Sequence, residues 1–305
     1  MGGEEVVPVA AQATTYPGQD SFPPRAYPVA PLPLEPLHMD FLLECIGFPP
    51  DLDHEALVER VVQQGDPAPW RGDSTEHRIL ALGAGLEIRL DREVGKDFWT
   101  LLPHYHSPHR LRVGIETLNH VPDSPFDALL TGWACPPNPR DPGPLLEPGE
   151  PGAYRLATWL IDAQRLPSQM PANHVLAVSI AGFALHVDYV GPNEGVRDPS
   201  ILEQRRGAAV APLGAPDAPG GCSEVSLRVQ SIQHLRNPIT GQAIDLLVTD
   251  APERPLLLFV NPWQLKEHGL PAPRPGWRIE GTFLFSGTVA GGIPVSRRRT
   301  DTAFG

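Results

Sequence analysis

Six consecutive residues concentrate the reactive side chains of this chain: His104-Tyr105-His106-Ser107-Pro108-His109. A neutral imidazole offers a lone pair that zinc and related divalent cations accept readily. Alternate residues on an extended chain share a side, so His104 and His106 can converge, with His109 reaching them from the following turn. The run therefore makes His104, His106 and His109 candidate ligands for a divalent metal, and metal-dependent hydrolysis the chemistry they would serve. Two looser pairs show the same alternation. His38 with Asp40, and His186 with Asp188, each place an imidazole and a carboxylate on one strand face, half of an acid–base or metal site. Glu87 and Glu116 lie on similar faces. All of these are equally what the solvent side of an amphipathic strand presents.

The histidine run resembles the HxHxDH motif of metallo-β-lactamase-type hydrolases over its six residues. It departs from that pattern where Pro108 stands in place of the Asp that serves the second metal, and Arg110 and Arg112 follow at once. Other catalytic signatures are absent from the sequence: no GxSxG elbow, no HExxH and no phosphate-binding GxxxxGK[ST]. Gly83-Ala84-Gly85 lacks the third glycine and the following helix of a dinucleotide site.

A second kind of chemistry is base stacking. Trp263, Trp277 and Phe259, with Phe283 and Phe285 nearby, could stack the bases of a single strand. Their spacing also suits the core of a small barrel. A stacking platform sits in a positive groove, whereas this chain has a net charge of -12, which disfavours nucleic acid as a partner. The acidity lies mainly in residues 37–150, and residues 222–305 are close to neutral.

The elements that must position these residues are mostly strands. The chain has 305 residues, 38 of them Pro and 29 Gly, which favours short strands and irregular connections over helices. Leu37, Met39, Phe41 and Leu43 alternate with polar residues, which predicts a strand. Asp51 or Asp53 caps a helix running to Gln64, with Leu57, Val58, Val61 and Val62 on one face and Gly65 as its stop. Arg78–Leu82 and Leu86–Asp91 flank Gly83-Ala84-Gly85 as a hairpin. Strands are expected around Leu111–Glu116, Phe126–Trp133, Tyr154–Asp162 and Val175–Val190, the last changing phase near Gly182 as at a bulge. A short helix is expected at 201–206.

From Val225 onward come strand, hairpin signal, strand, strand, a helix opened by Pro262, and a long closing strand, an OB-like order. The expected architecture is mainly β (α+β). It has a Pro-rich disordered tail at 1–36, a larger antiparallel β-rich domain at 37–190, a Pro/Gly-rich linker at 191–222, an OB-like barrel at 223–292 and an Arg-containing tail at 293–305.

Cys45, Cys135 and Cys222 are isolated, which argues against a disulfide framework. No basic leader with an apolar core and no membrane-length apolar run is present, so a cytoplasmic location without membrane contact is expected. The segments Gly85-Leu86-Glu87-Ile88, Leu102-Pro103-His104-Tyr105, Arg110-Leu111-Arg112-Val113-Gly114 and Gly132-Trp133-Ala134, with Asn237-Pro238-Ile239-Thr240-Gly241 and Gly281-Thr282-Phe283, resemble uncharacterised bacterial proteins. Those proteins join a β-rich first domain to a small C-terminal OB-like module. The resemblance implies a two-part architecture and carries no catalytic residues. The leading expectation is a binding protein for a small molecule or a protein partner, using the β-rich domain or the surface between domains. The alternatives are the metal-dependent hydrolase and single-strand nucleic-acid binding.

Overall fold

Frequent Pro and Gly interrupt helices, while stretches such as Leu111–Ile115 alternate apolar and polar residues, so the backbone satisfies its polar groups by pairing strands. The computed structural model describes residues 40–67, 75–93, 95, 99–121, 124, 126–138, 146, 151–167, 170–171, 173–192, 208–213 and 220–293. The Pro-rich segment 1–36, the expected helix at 201–206 and the tail beyond residue 293 lie outside the described residues, as do His38 and the start of the strand predicted from Leu37.

The fold is mainly β. A first sheet has the order β1 (Asp66–Pro67), β2 (Thr75–Gly83), β3 (Leu86–Glu93), β4 (Thr100–Tyr105). The β2–β3 hairpin turns through Gly83, Ala84 and Gly85, all with φ between 51° and 85°. Glycine reaches that left-handed region without a Cβ penalty, which is why two glycines flank the turn. Helix α1 (Asp40–Glu44) contacts β4, and α2 (His54–Gln64) packs on β2 and β3. Asp53 caps α2 by accepting from Ala56 N at 3.0 Å, and Leu57 and Val61 are its buried residues.

Asp40–Glu44 is helical, against the strand read from Leu37 to Leu43. Leu42, Leu43 and Ile46 are all at most 1% exposed. Their one- and four-residue spacings fit the side of a helical turn better than the pleat of a strand.

The remaining strands form one sheet of nine. They are β5 (Leu111–His120), β6 (Ala128–Ala134), β7 (Tyr154–Leu160), β8 (Val175–Pro192), β9 (Ala208–Pro212), β10 (Cys222–Arg236), β11 (Ala243–Thr249), β12 (Leu256–Phe259) and β13 (Trp277–Gly291). A 3-10 turn, Ala163–Arg165, follows β7, and helix α3 (Pro262–Glu267) follows β12. Asn261 caps α3 by accepting from Trp263 N and Gln264 N, and Pro262 occupies its first turn.

The pairings close this sheet twice. β5, β6, β7, β13 and β8 form one five-strand ring, and β10, β11, β12, β8 and β13 form another. The long antiparallel pair β8–β13 is the wall common to both. Each ring contains one parallel pair, β7 with β13 and β12 with β8. The two halves match strand for strand in their pairing order, β5-β6-β7-β8 with β10-β11-β12-β13. Setting Trp159 on Leu258 and Gly182 on Ser286 carries the pairing Gly182↔Phe285 onto Ser286↔Ala181, which is also present. The first strand of each half is bulged within one residue of the corresponding place, between Ile115 and Thr117 and between Val229 and Ser231. The pairing pattern of the first half thus recurs in the second.

This corrects the expected separation of 37–190 from 223–292. The strands of 223–292 follow the predicted order, but their ring is completed by β8 from upstream. The described residues from Asp40 to Ile293 fall in one compact unit. Part of the supposed linker, Ala208–Pro212, is a strand paired with β10. The bulges on β8 lie near Leu185 and Asp188, beyond the Gly182 position. Gly182 answers a different need, because a Cβ there would come within 2.7 Å of Leu258 Cδ2 and 3.0 Å of Phe285 Cε1. Phe183, Phe259, Phe283 and Phe285 fill the space around the common wall, each at most 1% exposed.

Candidate functional site

The register of the first sheet assembles the site. Glu87 on β3 lies directly opposite His104 on β4, and Arg89 lies opposite Ile79 on β2 and Leu102 on β4. Cross-strand partners share a face, and residues two apart share it too. Glu87, Arg89, His104 and His106 therefore project on one side. That side faces the barrel, so the alternating polar residues of β3 are buried. Arg89 is 1% exposed, Glu87 9% and His104 0%.

Arg89 ties the first sheet to the barrel. Its Nη1 donates to Asp127 Oδ1 and to the Ile161 carbonyl, each at 2.9 Å, its Nη2 donates to Asp127 Oδ2 at 3.3 Å, and its Nε pairs with Asp91. Burial works against the guanidinium charge, but Asp127 and Asp91 more than restore it. His77 pairs with Asp91, and Ser124 donates to Asp127 Oδ2 at 2.8 Å.

Beside this network His106 Nε2 meets Glu87 Oε2 at 2.9 Å. That hydrogen bond raises the His106 pKa against the opposing effect of burial, with the charges of Glu87 and Asp162 adding to the rise. The His104 ring stands edge-on to His106, with centroids 4.8 Å apart. Burial first, then His106 and Arg89, pushes the His104 pKa down to about 3, so its ring is neutral across the physiological range. Its Nδ1 lies 3.3 Å from Ser286 Oγ on β13, and its buried Nε2 has no protein partner.

Glu87, Arg89 and His106 form one wall of a cleft of about 630 Å³ between the first sheet and the barrel. The opposite wall is the end of β7 and the 3-10 turn, with Ile161, Asp162, Gln164 and Arg165, and Thr288 of β13. Asp162 fixes that wall, its Oδ1 accepting from Val289 N at 2.9 Å and its Oδ2 from Arg165 Nη1 at 3.0 Å. Arg165 also donates to the Val289 carbonyl at 2.8 Å. The carboxamide of Gln164 is different. Its Oε1 and Nε2 are both buried and neither has a partner.

The residues singled out from the sequence separate into groups. His104 and His106 come together, and Glu87 joins them: one donor atom from each lies within 4.8 Å of the others. His109 is not in this group. It stands near Arg254, and burial followed by that charge lowers its pKa. His186 and Asp188 form an exposed pair at 2.9 Å, with His186 edge-on to His268 at 5.1 Å. Glu116 accepts from Arg155 at 2.6 Å on the surface.

Phe259, proposed as a stacking residue, is 0% exposed. It stacks on Phe183 at 5.0 Å and meets Tyr105 edge-on at 5.2 Å. A ring enclosed on both sides offers no face to a base. Trp263 and Trp277 are half-buried, and Arg274 lies over the Trp277 ring at 5.1 Å. Asp162, Gln164 and Arg165 were not anticipated. They follow a strand in a segment with no motif, and only the pairing of β7 with β13 brings them to the cleft.

Among the described residues no helix is long and apolar enough to cross a membrane. Comparison with protein-family models, with curated proteins and with solved structures finds no match to this chain.

Proposed function

We propose that this protein is a binding protein for a small polar molecule, held in the cleft between the first sheet and the barrel. The observation that carries the reading is the Gln164 carboxamide. A buried amide with neither donor nor acceptor engaged costs stability, and Gln164 lines the cleft, so its side chain, turned toward the cleft, recovers that cost with a ligand that supplies both an acceptor and a donor. Around it stand a carboxylate paired with an imidazole, Glu87 with His106, and the guanidinium of Arg165. The volume is of the size that encloses a small molecule. This mixture suits a ligand with its own hydrogen-bonding edge, such as an amide, a carboxamide or a heterocycle.

A small molecule is favoured over a protein partner by the surface. Among the described residues the exposed large apolar side chains are Val175 and Leu213, and two scattered residues do not make a docking patch. The ring order of β10, β11, β12, β8 and β13 supports an OB-like reading of the C-terminal half. The burial of Phe259, Phe283 and Phe285 takes away the aromatic platform that nucleic-acid binding would use.

The test is a thermal-shift screen of the full-length chain against polar metabolites, run with a chelator present. A ligand at about 100 times its Kd is expected to stabilise the fold by roughly 2.7 kcal/mol. Gln164→Leu, which keeps the bulk and removes both polar atoms, is expected to abolish that protection. Protection that survives in Gln164→Leu, or a panel in which no compound protects, would overturn the reading.

A further inference from the structure

We infer that Glu87, His104 and His106 form a binding site for one divalent cation of the zinc class, with an open coordination position facing the cleft. The site stands on its own donors and does not depend on the cleft's ligand. Three observations lead to it. The β3–β4 register sets Glu87 opposite His104, and His106 follows two residues later on the same side, so the three are aligned by the backbone. A carboxylate oxygen and two imidazole nitrogens lie within 4.8 Å of one another. The Nε2 of His104 is buried without a partner, while Nδ1 faces Ser286 Oγ at 3.3 Å.

That last arrangement is what a ligating histidine needs. With Nδ1–H donated to Ser286, the lone pair sits on Nε2 and the ring is held in place. Two His and one carboxylate are a donor set that zinc accepts with a fourth position left for water or substrate. Glu87 and His106 line the cleft and His104 does not, which puts the open position on the cleft side. The nearest competing charge, Arg89, is already matched by Asp127 and Asp91. A tetrahedral ion with bonds of about 2.0–2.1 Å sets its donors roughly 3.3 Å apart. On loading, the wider separations of the group must therefore close while the 2.9 Å pair of Glu87 and His106 opens slightly and gives up its shared proton to solvent, and His106, whose side chain is 56% exposed just beyond the end of β4, has room to move. Glu87 takes the place that the sequence assigned to His109.

The test is calorimetric titration of the chelator-treated full-length protein with zinc chloride, with cobalt(II) as a spectroscopic substitute. The expected result is saturable uptake of one equivalent and a visible cobalt band of low coordination number. His106→Ala and Glu87→Gln should each weaken zinc binding by at least about tenfold, the lower end of the loss seen when only an outer-shell partner is removed. Ser286→Ala should weaken it by less than either. Circular dichroism confirms that each variant is folded, and Glu87→Gln, which preserves shape, decides the matter if His106→Ala is not. Absence of saturable zinc uptake, or uptake undiminished in Glu87→Gln, overturns the assignment. Because the ligand screen is run with chelator, failure here leaves the Gln164 reading standing, and the reverse.

Discussion

Arg89 is a guanidinium with almost no access to water, and it survives there because each face of it is answered. Asp127, Asp91 and the Ile161 carbonyl take its donors. Removing one member of a buried ion pair strands the rest, which costs about 3–5 kcal/mol. Arg89→Ala is therefore expected to lower the free energy of unfolding by an amount of that order, read as a fall in the urea midpoint, with a large effect on the hold between the first sheet and the barrel. Arg89→Lys should rescue little, since an ammonium cannot bridge two carboxylates and a carbonyl in one plane. A midpoint within experimental error of wild type would refute the role.

At this scale the sequence was partly legible. The density of imidazoles singles out His104 and His106, which the structure brings together with Glu87. His109 is near them in sequence, whereas Glu87 is near in register, 17 positions upstream of His104 yet directly across a strand pair. The alternation Glu87-Ile88-Arg89-Leu90 was readable as a strand. Which of its faces meets water depends on a barrel assembled from residues far downstream, and no local pattern carries that.

At the scale of elements, alternation and turn chemistry located most strands, because pleat period and glycine turns are local properties. The Leu37–Leu43 alternation reads as a strand although Asp40–Glu44 is helical, because a short apolar run satisfies both periods until its partners are known. One connection is more than a passive loop. The β11–β12 turn carries Glu253, which accepts from Arg112 of β5 through both oxygens, at 2.9 and 2.7 Å, and so fastens the two rings together. Arg112's hydrogen bond holds the Glu253 carboxylate below its ordinary pKa. A carboxylate with a depressed folded pKa stabilises the fold above its unfolded value, and that contribution disappears as the pH falls through the folded value. Glu253→Gln is thus expected to melt below wild type at neutral pH. The two melting temperatures should converge as the pH drops below about 4, the ordinary carboxylate range. A gap that persists unchanged in acid would show that the ion pair is not its source.

For the whole molecule, the decisive fact is that β8 and β13 each belong to two rings. Composition and a Pro/Gly-rich stretch suggest a boundary between 190 and 223. In hydrogen bonding there is none, because each half supplies the strand that closes the other. Fragments 39–192 and 208–293, expressed separately, should each lack stable tertiary structure, and co-expression should restore a folded pair in equal amounts. Circular dichroism and size-exclusion chromatography read both outcomes. A fragment 208–293 that folds as a monomer would show that the C-terminal barrel has an independent core after all. The recurrence is not legible in the sequence because the two halves share strand order and a parallel pair, but not residues.

That exchange of strands has a bearing on ancestry. A polypeptide carrying a single copy of the repeat would leave its ring one strand short. Its natural remedy would be a second identical molecule, each lending its long strand to the other in an isologous, domain-swapped pair. The present chain holds both partners of such a pair in tandem. Once joined, the copies no longer had to remain identical. Of the two rings' own chains of strands, only the one beginning at β5 is preceded by the four-stranded sheet that carries Glu87 and His104. A pair of identical molecules would present such a sheet twice, and the single chain presents it once among the described residues.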